Sequence, residues 1–247
     1  MKKILSASII AAAAMAAPAY AQDTAETGTY VHIRAGLIDT NNPSVNYVNK
    51  VAIPKLDIEA NTRMKSAVAF SGEAGHDFGV FSLGVEFAYN RNKINSLTLT
   101  RANGQAIDED DFEDVLADLA LDEDNLDDFE IDGATLRGPI AKVRQIAILA
   151  NLTYDIPVEG SVQPYVGAGI GGVYNRLSAF GAKDTEFELA WQVRAGAAFK
   201  ATENIAITAD YTYRVTGKSD YRFNEDDIYR FGRTKASLFQ IGLRAGF

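Results

Sequence analysis

Apolar and polar residues alternate with a period of two along eight stretches of this chain. The last shows it plainly: Phe239, Ile241, Leu243, Ala245 and Phe247 are apolar, and Gln240, Gly242, Arg244 and Gly246 between them are polar or small. Such spacing gives a β-strand one greasy face and one polar face. Residues 29–38 set Val31, Ile33, Ala35 and Leu37 against His32, Arg34 and Gly36. Residues 64–75 place Val68, Phe70 and Ala74 opposite Lys65, Ser71 and Glu73. Residues 80–91 alternate most cleanly, with Phe81, Leu83, Val85, Phe87 and Tyr89 against Ser82, Gly84, Glu86 and Ala88. The same rhythm covers residues 143–154, 162–176, 185–200 and 204–215.

Each apolar face runs about ten residues, the length a tilted strand needs to cross a bilayer. Aromatics favour the face ends (Tyr30, Phe81, Tyr89, Tyr154, Phe187, Phe199, Tyr213, Phe247), as interfacial girdles do. The connections sort by parity. Those near residues 77–79, 155–161 and 201–203 are short; those at 39–63, 92–142 and 216–232 are long, and 177–184 is moderate. Short turns belong to the periplasm and long loops to the exterior. The pattern predicts an all-β, eight-stranded antiparallel up-and-down transmembrane β-barrel with both termini periplasmic.

Composition narrows the picture. Hydrophobic residues make up 47% of the chain, yet beyond the amino terminus no run of about 18 apolar residues occurs. Lipid leaves backbone groups no water, so a membrane protein without apolar helices must close its sheet. There are no cysteines, hence no disulfide and no thiolate metal site. Lys2 and Lys3, a short alanine-rich apolar stretch and Ala19-Tyr20-Ala21 form a secretory signal with its cleavage site. The expected organisation is therefore a cleaved segment, 1–21, and one barrel domain, 22–247. Net charge is -9. Nothing basic points to nucleic acid, and nothing in the residues calls for a cofactor.

The inward faces carry Arg34, Glu73, Glu86, Glu188, Arg194, Asp210, Arg214 and Arg244. An eight-stranded barrel is just wide enough for side chains to fill it. Buried charges must be paired, so a lumen network of Arg34, Glu73, Glu86, Arg194, Asp210 and Arg244 is expected. By strand count, Arg244, Arg34 and Glu73 share one height, and Arg194 and Asp210 another. Gly167, Gly169 and Gly171 would leave room for the long arginines opposite. A polar plug and a gated small-ion pore are the two readings of this lumen.

Between Asp108 and Asp132 there are 14 acidic residues and no basic one, inside the external loop of about 92–142. Without them the segment following residue 21 would be slightly basic. Phe112, Val115, Leu116 and Leu119 have helical spacing. A solvated loop, a partner-binding helix and a divalent-ion site compete here. The Asp122-Glu123-Asp124-Asn125 start resembles a calcium loop but fails at Leu126, Asp127 and Gly133; loose ions bridging to lipopolysaccharide remain an option. His32 and His76 both fall near the periplasmic side, away from any Ser or Asp at the outer rim, so no catalytic constellation is assembled and an enzyme is not expected.

Several runs together resemble the small eight-stranded outer-membrane proteins, namely the OmpA transmembrane domain and opacity-type proteins of alphaproteobacteria. They are Gly28 to Gly36, Pro164 to Gly171, Leu189 to Gly196, Asp210 to Arg214 and Gly242 to Phe247. The resemblance implies that Phe239, Ile241, Leu243 and Phe247 serve as the signal read by the barrel-assembly machinery. It also implies outer-membrane lipids and lipopolysaccharide as surroundings, a role in envelope integrity, and surface loops that meet a host or neighbouring-cell partner. A narrow porin is the alternative; a lipid A-modifying enzyme ranks below it.

Overall fold

The computed structural model describes residues 27–49, 56–107, 112, 129–179, 182–222 and 226–247. Eight long strands close into a ring: β1 (Gly28–Thr40), β4 (Ala67–Asp77), β5 (Phe81–Ala102), β8 (Thr135–Asp155), β9 (Val162–Ala179), β10 (Ala182–Lys200), β11 (Ile205–Thr216) and β14 (Thr234–Gly246). The six shorter strands are β2 (Ser44–Asn49), β3 (Leu56–Met64), β6 (Gln105–Ala106), β7 (Glu130–Asp132), β12 (Ser219–Arg222) and β13 (Asp227–Phe231). Every pairing is antiparallel, and β1 closes the ring on β14, with Tyr30 opposite Gly246 and Thr40 opposite Ala236. Among the described residues no helix is long and apolar enough to cross a membrane.

The lower half of the ring is inside-out relative to a soluble protein. Ile33, Leu83, Ile170, Leu189 and Ile241 are more than half exposed on the outer face, whereas Arg34, Glu86 and Gln192 are buried on the inner one. Outer aromatics pair at both edges of this band, Phe81 with Tyr154 near the turns and Tyr174 with Phe187 at the other end, each pair 5.0 Å between centroids. The turns at the lower end are tight. At Asp77-Phe78-Gly79 the Phe78 amide donates to the Phe81 carbonyl at 2.7 Å, and Gly79 takes φ 103°. At the 201–204 turn the Ala201 amide donates to Ile205 at 2.9 Å.

The upper half departs from the expected loops. The stretch 39–63 contains β2 and nearly all of β3, 216–232 contains β12 and β13, and 92–142 carries the continuations of β5 and β8 at its two ends, with β6 and β7 between them. The small strands extend the wall in the order β12-β13-β2-β3-β5. β5 has 22 residues and β8 has 21, about twice what a bilayer requires, so half of this hairpin stands above the lipid. Asn103 and Gly104, at φ 50° and 82°, turn β5 into β6 as an Asn-Gly hairpin turn does. Lys65, expected in the lumen, lies between β3 and β4 and is exposed.

Above the lipid the pattern of burial reverses. Ile94, Leu99, Leu136, Ile140, Val143, Leu177, Tyr221 and Phe231 point inward and form an apolar core with Val45 and Ile58. The pairing of β5 with β8 shifts register between Ile94 and Ser96, which changes the face that later residues present. The protein thus has a polar core within the membrane and an apolar core outside it.

Candidate functional site

The membrane-level lumen holds three guanidiniums and three carboxylates, contributed by β1 (Arg34), β4 (Glu73), β5 (Glu86), β10 (Arg194) and β11 (Asp210, Arg214). Glu86 is the hub. Its carboxylate accepts from Arg34 Nη2 at 3.2 Å, from Arg214 Nη2 at 3.0 Å and from Arg194 Nη2 in a short contact. Gln192 Nε2 and Asn151 Nδ2 add donors at 2.9 and 3.0 Å. Glu73 accepts from Arg34 and Arg194 at 3.0 Å each, from the Tyr30 hydroxyl at 2.7 Å and from Asn151 at 3.1 Å. Asp210 is set further out, 3.8 Å from Arg194 Nε and 3.2 Å from the Tyr165 hydroxyl that donates to it. Formal charge cancels, and each carboxylate has several donors, as buried ions require.

Arg244 stands outside this cluster. It faces the lumen at the lower rim, donates to Asp77 Oδ2 at 2.7 Å and lies over the Tyr30 ring at 4.1 Å. Register explains the difference: Arg244 is level with His32 and Glu73, but Arg34, two residues higher on β1, already occupies Glu73. Glu188 is also apart, buried at the upper lumen where Ser219 Oγ of β12 donates to it. Arg214, Asn151, Gln192 and Tyr30 complete the plug. The signal for the two amides was their polar type at inward positions.

The glycines serve a different neighbour from the one expected. A Cβ at Gly169 would strike Asn151 Oδ1, and one at Gly171 would strike the Ile148 carbonyl, so these glycines admit β8. The plug relies on Gly242, where a Cβ would meet Arg34 Cγ at 2.6 Å, and on Gly84, which lies under Tyr30 and Glu73.

An uncharged belt lies above the plug. Asn90 donates to Asn92 at 2.6 Å and to Gln145 at 2.8 Å, and Gln145 donates to Asn175 at 2.6 Å. The apolar outer core follows. Phe112, from the acidic segment, is 1% exposed within that core. The rest of 108–128, including the helix expected at 112–119 and the first part of the failed calcium loop, lies outside the described residues, as do Ala19 and Ala21 of the expected cleavage site. On the rim of the outer layer, burial and the hydrogen bond to Asp227 push the Tyr47 phenol up to about 12.

The histidines take structural places. His32 Nε2 is 2.8 Å from Thr208 Oγ1 inside the lumen. His76 is on the outer face of β4, edge-on to Phe78 at 4.6 Å. The terminal positions Phe239, Ile241, Leu243 and Phe247 are 49–79% exposed on the lipid face of the closing strand and its end.

A closed antiparallel ring with an apolar exterior and an ion-paired lumen defines a small transmembrane barrel of the bacterial outer membrane. The outer membrane protein beta-barrel domain matches residues 7–247, and the chain belongs to that family. It is 30% identical over 122 residues to outer membrane protein PagN of Salmonella typhimurium (strain LT2), covering 43% of this chain and 51% of the relative. The chain thus spans about half the length of that curated relative. Among solved structures, Neisserial surface protein A covers 90% of this chain and 99% of its own, with TM-score 0.50 and 16% identity. OprG of Pseudomonas aeruginosa covers 89% of this chain and 97% of its own, with TM-score 0.49 and 13% identity.

Proposed function

We propose that this protein is a closed outer-membrane platform that supports the envelope and presents its extracellular layer to partners at the cell surface. The supporting observation is that the lumen is filled at two levels, by the ion-paired plug and by the apolar core above it, while the wall continues far beyond the lipid. Filling of the lumen at two levels along its axis favours this reading over a narrow porin. A built extracellular layer, by contrast, holds a surface in fixed shape, as recognition requires. No set of nucleophile and base faces the outer rim among the described residues, and the histidines are engaged elsewhere. The acidic segment that follows β6 in the sequence is the stretch of the chain richest in charge. The membrane-facing end of β14 is the part that the assembly machinery would read, after removal of 1–21.

The test is detergent and polymyxin sensitivity of a null strain, complemented by the full chain or by a form lacking residues 105–133. Restoration by both forms assigns envelope support to the barrel and leaves the segment for partner contact. Restoration by the full chain alone places both roles in the segment. Failure of the full chain to restore resistance contradicts the envelope role.

A further inference from the structure

Two consecutive rows on the outer face of four neighbouring strands are almost entirely cationic. Register aligns Arg91 of β5 with Arg144 of β8 and Arg176 of β9, and Thr185 of β10 completes the row. In the next row up, Lys93 faces Lys142, Lys142 faces Ser178, and Ser178 faces Lys183. All six cations are exposed, and none has an ion pair among the described residues. Directly opposed strand residues have Cα atoms only about 4.5–5.5 Å apart, and like charges in that relation are destabilising. Three aligned arginines on adjacent strands are thus a cost that no ion pair among the described residues offsets.

Their height identifies what offsets it. The row immediately below, on the same face, is Tyr89, Ile146, Tyr174 and Phe187, the upper aromatic girdle of the lipid band. The cations therefore begin one row above the acyl region, on the surface that faces lipid rather than on loop tips. A phosphate esterified to a lipid headgroup lies at that boundary, and guanidinium pairs bind phosphate in bidentate fashion. A soluble anion has no reason to be selected for a site whose lower edge is aromatic and greasy.

We propose that these two rows form a docking site for the phosphorylated saccharolipid headgroup of the outer leaflet, the lipid A part of lipopolysaccharide. The arginine row grips phosphate, the lysine row supports it from above, and the aromatic row beneath receives the acyl chains. The site rests on the outer-membrane placement but is independent of the acidic segment and of any surface partner.

The experiment is native mass spectrometry of the folded full chain in detergent micelles, titrated with bisphosphorylated lipid A, monophosphorylated lipid A, or a soluble sulfated saccharide. The variant is Arg91→Gln/Arg144→Gln/Arg176→Gln. The same three positions changed to Lys serve as the charge-retaining form, and Lys200→Gln, at the opposite end of the barrel, as the control. Heat-modifiable migration verifies that each is folded. The expected result is lipid A retention weakened about tenfold or more in the Gln variant, partly kept in the Lys form and unchanged in the control. Monophosphorylated lipid should bind less tightly than bisphosphorylated. Equal lipid A binding by the Gln variant overturns the proposal, as does no binding by the unmodified chain. Stronger binding of the soluble saccharide than of lipid A at the arginine row overturns it in favour of an external polyanion.

Discussion

Glu86 is 1% exposed and shares its two oxygens among three arginines and two amides. Replacing it with Gln keeps the size but leaves Arg34, Arg194 and Arg214 facing only Glu73 and Asp210. Removing one partner of a buried pair costs about 3–5 kcal/mol, because the other charge stays desolvated. Glu86→Gln should therefore lower sharply the temperature at which the folded gel band converts to the unfolded one. Arg244→Ala should do much less. Its partner Asp77 has a side chain 23% exposed, so water can replace the guanidinium, and the expected loss is about 1 kcal/mol. The reverse ranking would contradict the position of Arg244 at the rim. Residue type and strand face sufficed to place Arg34, Glu73, Glu86 and Arg194 in the lumen. Which charge meets which depends on side-chain reach between adjacent and facing strands, and periodicity does not encode that.

At the scale of elements, β5 and β8 each serve two environments. Their lower halves alternate apolar-out, and their upper halves alternate apolar-in, around Ile94, Leu99, Leu136 and Val143. Alternation alone looks the same in both cases, and the bulge beyond Ile94 breaks it. That is why 92–142 reads as a loop in the sequence although much of it is strand. The two halves should also fail separately. Leu136 is 1% exposed in the outer core, and Leu136→Asp would bury an unpaired carboxylate among apolar groups. Limited proteolysis on intact cells should then cut the extracellular layer of the variant, while the membrane ring keeps its heat-modifiable migration. Loss of the ring itself would show that the two cores fold as one unit.

For the whole molecule, the question is whether a path runs through it. The plug, the amide belt and the apolar core are stacked along one axis. Between the last two lies a small void bordered by Gln145, Asn175, Ser219 and Tyr221, too confined for more than isolated water. Planar-bilayer recordings of the folded protein should show no steady current. Arg34→Ala/Arg194→Ala/Arg214→Ala, if it folds, should stay silent as well, because the apolar core remains above the emptied plug. A steady conductance in the unmodified protein would contradict closure at either level.

The sequence by itself determined the number of membrane strands, their inward and outward faces, the parity of the connections and the compartment. All of these follow from a period-two pattern that lipid outside and a narrow lumen inside impose on every strand. Tertiary structure alone decided the partners of each buried charge, the role of each glycine and the existence of an outer core built from what reads as loop. The same holds for the alignment of Arg91, Arg144 and Arg176, which are 53 and 32 residues apart along the chain and become neighbours only through register. Pairing across strands is a property of closure, and one strand's pattern carries no record of the strand beside it.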